Sequence, residues 1–124
     1  KIILVSDATS LTGMPPGNYT THIGGEVTLT GNGKLHMKGN PDMLAGSGKS
    51  LLHCVSTLTS RGLATLAEAL DMAGRIPYCM AGLPGDCLPV KGGVADLIVL
   101  REENEGLKVV RTIKKGKTVF KQGT

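Results

Sequence analysis

The run Ile2-Ile3-Leu4-Val5 limits the possible folds of this chain more than any other feature. Four consecutive apolar residues without alternation suit a strand buried on both faces, as in a parallel sheet covered by helices. The run stops at Ser6, Asp7, Ala8 and Thr9, so Asp7 is expected where a parallel strand opens into its loop. In (β/α) barrels and open α/β sheets that edge is where chemistry is done. Asp is also an ordinary turn former. On this stretch alone Asp7 is either a reactive carboxylate or the cap of a turn.

Beyond it, Pro15, Pro16 and the neighbouring glycines exclude regular structure over residues 11–17. Short strands are predicted over 19–23, 26–30 and 34–37, with Gly31-Asn32-Gly33 as a hairpin signal between the last two. Gly48-Lys49-Ser50 ends like a phosphate-binding loop. The motif fails, because its first glycine is replaced by Met43 and Asn40-Pro41-Asp42 is no buried strand. Ser47 or Ser50 instead caps a predicted helix with Leu51, Val55 and Leu58 on one face, closed by Gly62. In a second helix Thr65 and Glu68 form a capping box and Asp71 and Arg75 an i, i+4 pair; Gly74 and Pro77 stop it, with one further turn over 77–81. A Pro/Gly-rich stretch, 83–93, leads to a strand over 95–100, an acidic turn over 101–106, and strands over 107–113 and 117–121 joined by Lys115-Gly116.

A chain of 124 residues has room for one modest core and not for a full barrel of about 250. Because it opens inside an apparently buried strand, it is expected to be the C-terminal part of a longer protein. The net charge of +4 lies largely in Lys108, Arg111, Lys114, Lys115, Lys117 and Lys121. These alternate with Val109, Ile113, Val119 and Phe120, as on the solvent face of a hairpin, and lack the aromatic interleaving of a nucleic-acid surface. Cys54, Cys79 and Cys87 lack paired CxxC spacing, which favours a reduced intracellular protein. No stretch is apolar for long enough to span a membrane.

Three groups of residues carry a resemblance. They are Leu4-Val5-Ser6-Asp7-Ala8-Thr9, then Leu44-Ala45-Gly46-Ser47, and finally Pro77 with Gly82-Leu83, Gly92-Gly93-Val94-Ala95-Asp96-Leu97 and Gly116. Together they resemble the C-terminal third of the metal-dependent amidohydrolases, most closely the N-acetylglucosamine-6-phosphate deacetylases. The resemblance implies an α/β fold. Residues 1–88 would be the C-terminal part of a (β/α)8 TIM-like barrel, with its eighth strand, a β-hairpin excursion and the following helices; residues 89–124 would add the last strands of a small β-sandwich domain.

It also implies an activity, hydrolysis of the acetamide of N-acetylglucosamine 6-phosphate to glucosamine 6-phosphate and acetate. Asp7 would shuttle the proton and touch the metal in some relatives, while Leu44, Ala45 and Gly46 would contact the sugar. A divalent metal, zinc or iron, would be held mostly by a Glu and two His upstream of Lys1, for which His22, His36 and His53 are no replacement. The 124 residues alone should therefore be inactive. The implied partner is a small-molecule amino-sugar phosphate, with neither nucleic acid nor membrane, in a cytoplasmic protein that is a homodimer at full length. Two alternatives remain open: another amidohydrolase of dihydroorotase, imidazolonepropionase or adenine deaminase type, and a non-catalytic basic β-rich interaction module.

Overall fold

The computed structural model describes residues 2–22, 25–83, 88–104 and 106–123. Contacts divide the chain into two compact units, Val5–Cys54 and Lys1–Leu4 with Val55–Thr124.

The unit Val5–Cys54 is built on a four-stranded antiparallel meander, β1 (Gly17–Thr21), β2 (Gly25–Leu29), β3 (Lys34–Met37) and β4 (Asn40–Ser47), in the order β1-β2-β3-β4. The register sets Tyr19 opposite Val27, Val27 opposite Met37 and Leu29 opposite Leu35, so one face of each strand is apolar. Val27, Leu29 and Leu35 are buried, and Leu11, Tyr19, Met37 and Ala45 close over them. Removing Leu35 to Ala at such a site typically costs about 2–5 kcal/mol. The three expected strands form within two residues of their predicted bounds; Ile23, the expected end of the first, lies outside the described residues.

β4 was not expected. Pro41 and Gly46 lower its strand propensity, and Asn40 to Leu44 are exposed, so it carries no buried apolar pattern. It is held by its hairpin with β3, where His36 faces Leu44 and Lys34 faces Ser47, with two register shifts. An edge strand accommodates a proline and a bulge that a central one would not. Gly48 follows at a close approach: a Cβ there would lie 2.6 Å from Leu29 Cδ1 and 3.2 Å from the Gly33 carbonyl oxygen. The glycine of the apparent phosphate loop thus lets the chain cross over the β2–β3 turn.

Helix α1 (Leu51–Ser60) starts as expected, with the His53 N–H donating to Ser50 Oγ at 3.3 Å. It ends at Gly62, whose φ is +65°, while the Leu63 N–H reaches back to the Leu58 carbonyl at 3.0 Å. Val55 is its buried residue. Helix α2 (Leu66–Leu70) carries the expected capping box, in which the Thr65 N–H donates to Glu68 Oε2 at 2.8 Å and the Glu68 N–H to Thr65 Oγ1 at 3.3 Å. The expected Asp71–Arg75 pair also forms, with Arg75 Nε donating to Asp71 Oδ1 at 2.9 Å.

Gly74 and Pro77 do not stop this helix. It passes through a π-helical turn, Asp71–Arg75, into α3 (Ile76–Met80). The Ile76 N–H is bonded to the Asp71 carbonyl, one residue further back than in an α-helix, and Pro77 has no N–H to offer the next carbonyl. Met72 O is thereby released from the helix ladder. It accepts the Leu4 N–H at 3.0 Å. Proline here changes the register of the helix and frees an acceptor for another segment.

The last three strands, β5 (Leu97–Glu103), β6 (Gly106–Lys114) and β7 (Lys117–Lys121), form an antiparallel sheet in the order β5-β6-β7. Arg101 to Glu103 continue β5 rather than turning, because they pair with residues 106–108 of β6. Lys115 and Gly116 both take positive φ, +49° and +77°, as a two-residue hairpin turn requires. The Lys115 N–H donates to Asp96 Oδ1 at 2.7 Å. Residues 84–87 of the expected 83–93 link, Cys87 among them, lie outside the described residues; Cys54 and Cys79 are free thiols. Among the described residues no helix is long and apolar enough to cross a membrane.

The opening run departs most from expectation. Residues 2–5 form no ladder with the other described residues, and Ile2 and Val5 are 65% and 72% exposed. A parallel strand takes its burial from neighbouring strands and covering helices. Among the described residues, its extension makes only one parallel bridge, Ala8 to Ser47.

Two outcomes follow from this packing. As a separate polypeptide the 124 residues should self-associate, since Ile2, Val5, Ile98, Val119 and Phe120 are all exposed; sedimentation giving a monomer with cooperative unfolding would contradict this. The Thr65 side-chain hydrogen bond, followed by its backbone one, holds the Glu68 carboxyl below its ordinary value of 4.5. A depressed folded value means that its support of α2 is present above the unfolded pKa and is lost as pH falls through the folded one. Exchange of the Thr65 and Glu68 amides should accelerate below about pH 4.5 relative to those of β2 and β3.

Candidate active site

Asp7 lies at the exposed end of the opening run, in the left-handed region with φ +51°. For a residue with a Cβ this conformation costs on the order of 1 kcal/mol, least for Asp and Asn. Local bonds compensate. The Ala8 N–H donates to Ser6 Oγ at 3.3 Å, closing a turn over Asp7. The Ser47 N–H donates to the Asp7 carbonyl at 2.8 Å, and the Thr9 N–H to the Ser47 carbonyl at 3.0 Å. Among the described residues the Asp7 carboxylate makes no hydrogen bond or ion pair, so Ser6, not Asp7, caps the turn.

These bonds place Leu44-Ala45-Gly46 beside Asp7, although 36 or more residues of chain separate them. Ala45 packs on the β-sheet core and Leu44 is 65% exposed. Gly46 has φ +99°; a Cβ on it would fall 2.6 Å from Thr9 Cγ2, 3.2 Å from the Asp7 carbonyl oxygen and 3.8 Å from Asp7 Oδ2. Only glycine fits this approach. The Ser47 carbonyl also faces the hydroxyls of Thr9 and Thr12, each at 3.4 Å.

The candidate residues from opposite ends of this unit are therefore adjacent: a carboxylate with no hydrogen-bond or ion-pair partner among the described residues, next to a backbone segment with little side chain. Sequence reasoning assigned no role to Ser6, Thr9 or Thr12. Their hydroxyls in a short run after an apolar strand were the available signal, since Ser and Thr close such turns through i, i+2 bonds.

Among the described residues no three His, Cys, Asp or Glu side chains come together. Asp7 offers one carboxylate, and His36 has its Nδ1 2.9 Å from the Met37 carbonyl. The described residues do not by themselves build a metal site.

Known proteins resemble this chain in sequence and in fold. It is 36% identical over 93 residues to an Escherichia coli K12 protein named "Putative N-acetylgalactosamine-6-phosphate deacetylase", covering 75% of this chain and 53% of that protein. A crystal structure of N-acetylglucosamine-6-phosphate deacetylase from Pasteurella multocida superposes with a TM-score of 0.75 at 22% identity, over 94% of this chain and 29% of that one. No family model matches. The resemblance to amino-sugar-phosphate deacetylases is thus met by a relative in sequence and by a structure in fold. The chain spans about half the length of the curated relative that it matches.

Replacing Gly46 by Ala tests the junction. The added methyl must push Thr9 or the Asp7 backbone away, so the Ser47 amide should exchange at least about tenfold faster. Amides of β2 and β3 should keep their rates. Uniform acceleration across the unit would instead mark a general loss of stability.

Proposed function

We propose that this chain forms part of an amidohydrolase that removes the acetyl group from an N-acetylated amino-sugar phosphate, with N-acetylglucosamine 6-phosphate as the substrate. The observation that carries this is the pairing of Asp7 with Leu44-Ala45-Gly46 through Ser47, in a chain whose curated relative is named as a deacetylase of this substrate class. On this proposal residues 2–7 are the last barrel strand, completed by strands outside these 124 residues, and β5–β7 belong to a small β-domain.

Amide hydrolysis needs a base for water and an acid for the departing amine. Water adds to the acetyl carbonyl carbon while its proton passes to the Asp7 carboxylate. The C–N bond then breaks and Asp7 returns that proton to the nitrogen, leaving the free amino sugar and acetate. A carboxylate without a hydrogen-bond donor among the described residues keeps its lone pairs available for this task. Leu44-Ala45-Gly46 would contact the sugar mainly through its main chain, which a bulky side chain at 46 would block. A divalent cation, zinc or iron, would polarise the carbonyl and activate the water. Its ligands would come from elsewhere in the larger protein, and this chain's contribution is limited to Asp7.

The alternative of a basic interaction module loses force from the ion pairs of the last sheet. Lys108 binds Glu103 at 2.7 Å and Lys114 binds Asp96; both carboxyls are held below their ordinary values, first by those lysine hydrogen bonds. The positive stripe is partly neutralised within its own sheet.

Asp7→Asn in the full-length protein is the decisive substitution, because Asn tolerates left-handed φ as well as Asp does. The kcat should fall by about 10²- to 10⁴-fold with KM changed much less. A kcat within a few-fold of wild type would end this assignment. Comparing kcat/KM for N-acetylglucosamine 6-phosphate and N-acetylgalactosamine 6-phosphate distinguishes the two sugars.

A further inference from the structure

We propose that Thr9 is a positioning residue for Asp7, acting through Gly46 and Ser47. This rests on Asp7 as the proton-transfer group of the proposed deacetylase. Thr9 is half-buried and uses each part of its side chain and backbone. Its N–H donates to the Ser47 carbonyl at 3.0 Å. Its Oγ1 accepts the Leu11 N–H at 3.3 Å and lies 3.4 Å from the same Ser47 carbonyl. Its methyl fills the place a Cβ would take on Gly46, 2.6 Å from the ideal position.

The consequence for Asp7 is geometric. Residue 47 is clasped from both sides, its N–H by the Asp7 carbonyl and its carbonyl by Thr9, with the Thr12 hydroxyl adding a contact at 3.4 Å. Asp7 is thus held at φ +51° by the bond to its own carbonyl and by the turn that Ser6 closes, and that backbone sets the direction in which its Cα–Cβ bond leaves. The Leu11 N–H bond to Thr9 Oγ1 holds the following loop in place, so the clasp does not depend on residues 44–47 alone. Loss of the hydroxyl removes two of these interactions while leaving the methyl against Gly46. A shift of the carboxylate by a fraction of an ångström is enough to slow proton transfer, since reactions depend steeply on the placement of the reacting groups.

The test uses the full-length protein. Thr9→Val keeps the shape and removes the hydroxyl; Thr9→Ser keeps the hydroxyl. Expected results are a kcat about tenfold lower for Thr9→Val with KM within about threefold, and a kcat within about threefold of wild type for Thr9→Ser. In the Asp7→Asn background Thr9→Val should have no further effect on kcat, because a residue that acts through Asp7 cannot be lost twice. An equal loss from Thr9→Val in both backgrounds, or a wild-type kcat for Thr9→Val, would overturn the positioning role. A wild-type kcat for Asp7→Asn itself would instead overturn the catalytic assignment on which it stands. If Thr9→Val lowers the folded fraction, kcat is taken per folded molecule from active-site titration, and the same two comparisons decide.

Discussion

The main-chain exchange between Asp7, Thr9 and Ser47 is the constraint on which the site depends. Ser47 donates to the Asp7 carbonyl at 2.8 Å and accepts from Thr9 at 3.0 Å, the pattern of one step of a parallel ladder. One residue of β4 is thereby fixed against the end of the opening run. The candidate site residues of this unit lie within a few residues of that step: the carboxylate on one side, the small-residue segment on the other. Without it, residues 44–46 would be the exposed edge of a meander and Asp7 the end of an unpaired segment.

The meander serves that contact. Val27, Leu29 and Leu35 bury one face of β2 and β3, and β4 is aligned by its hairpin with β3. Gly48 then lets the chain pass close over Leu29 and the Gly33 carbonyl before Ser50 starts α1. A small aliphatic core is sufficient here because it positions a backbone rather than encloses a ligand. In the other unit a comparable economy appears at Pro77. The proline breaks the α-helical ladder, the helix continues through a π turn, and the released Met72 carbonyl accepts the Leu4 N–H. The departure from regular geometry at Pro77 thus makes a bond to the opening run, which has few partners among the described residues.

Local signals were legible in the sequence. The Thr65/Glu68 box, the Ser50 cap, the Gly62 stop and the Lys115-Gly116 turn each depend on residues within a few positions, and each appears where its chemistry requires. Asp7 was legible as a candidate because a carboxylate ending an apolar run is unusual, and Leu44-Ala45-Gly46 because of a family resemblance. The strand β4 was not legible, since its pairing partner rather than its own composition makes it a strand. The burial of residues 2–5 was inferred from a pattern that presumes neighbouring strands, and such a pattern says nothing about whether those strands lie within the same 124 residues.

By itself, then, the sequence determined the short-range structure: caps, turns and the alternating faces of β1 to β3. These follow from sterics and hydrogen bonds between residues close in the chain. Only the tertiary structure decided that the Asp7 carbonyl meets the Ser47 N–H and that Thr9 and Gly46 interlock. Those facts depend on groups 37 or more residues apart meeting at hydrogen-bonding distance. No local propensity encodes such a meeting, because it is set by how the β3–β4 hairpin packs, and that is a property of the folded unit as a whole.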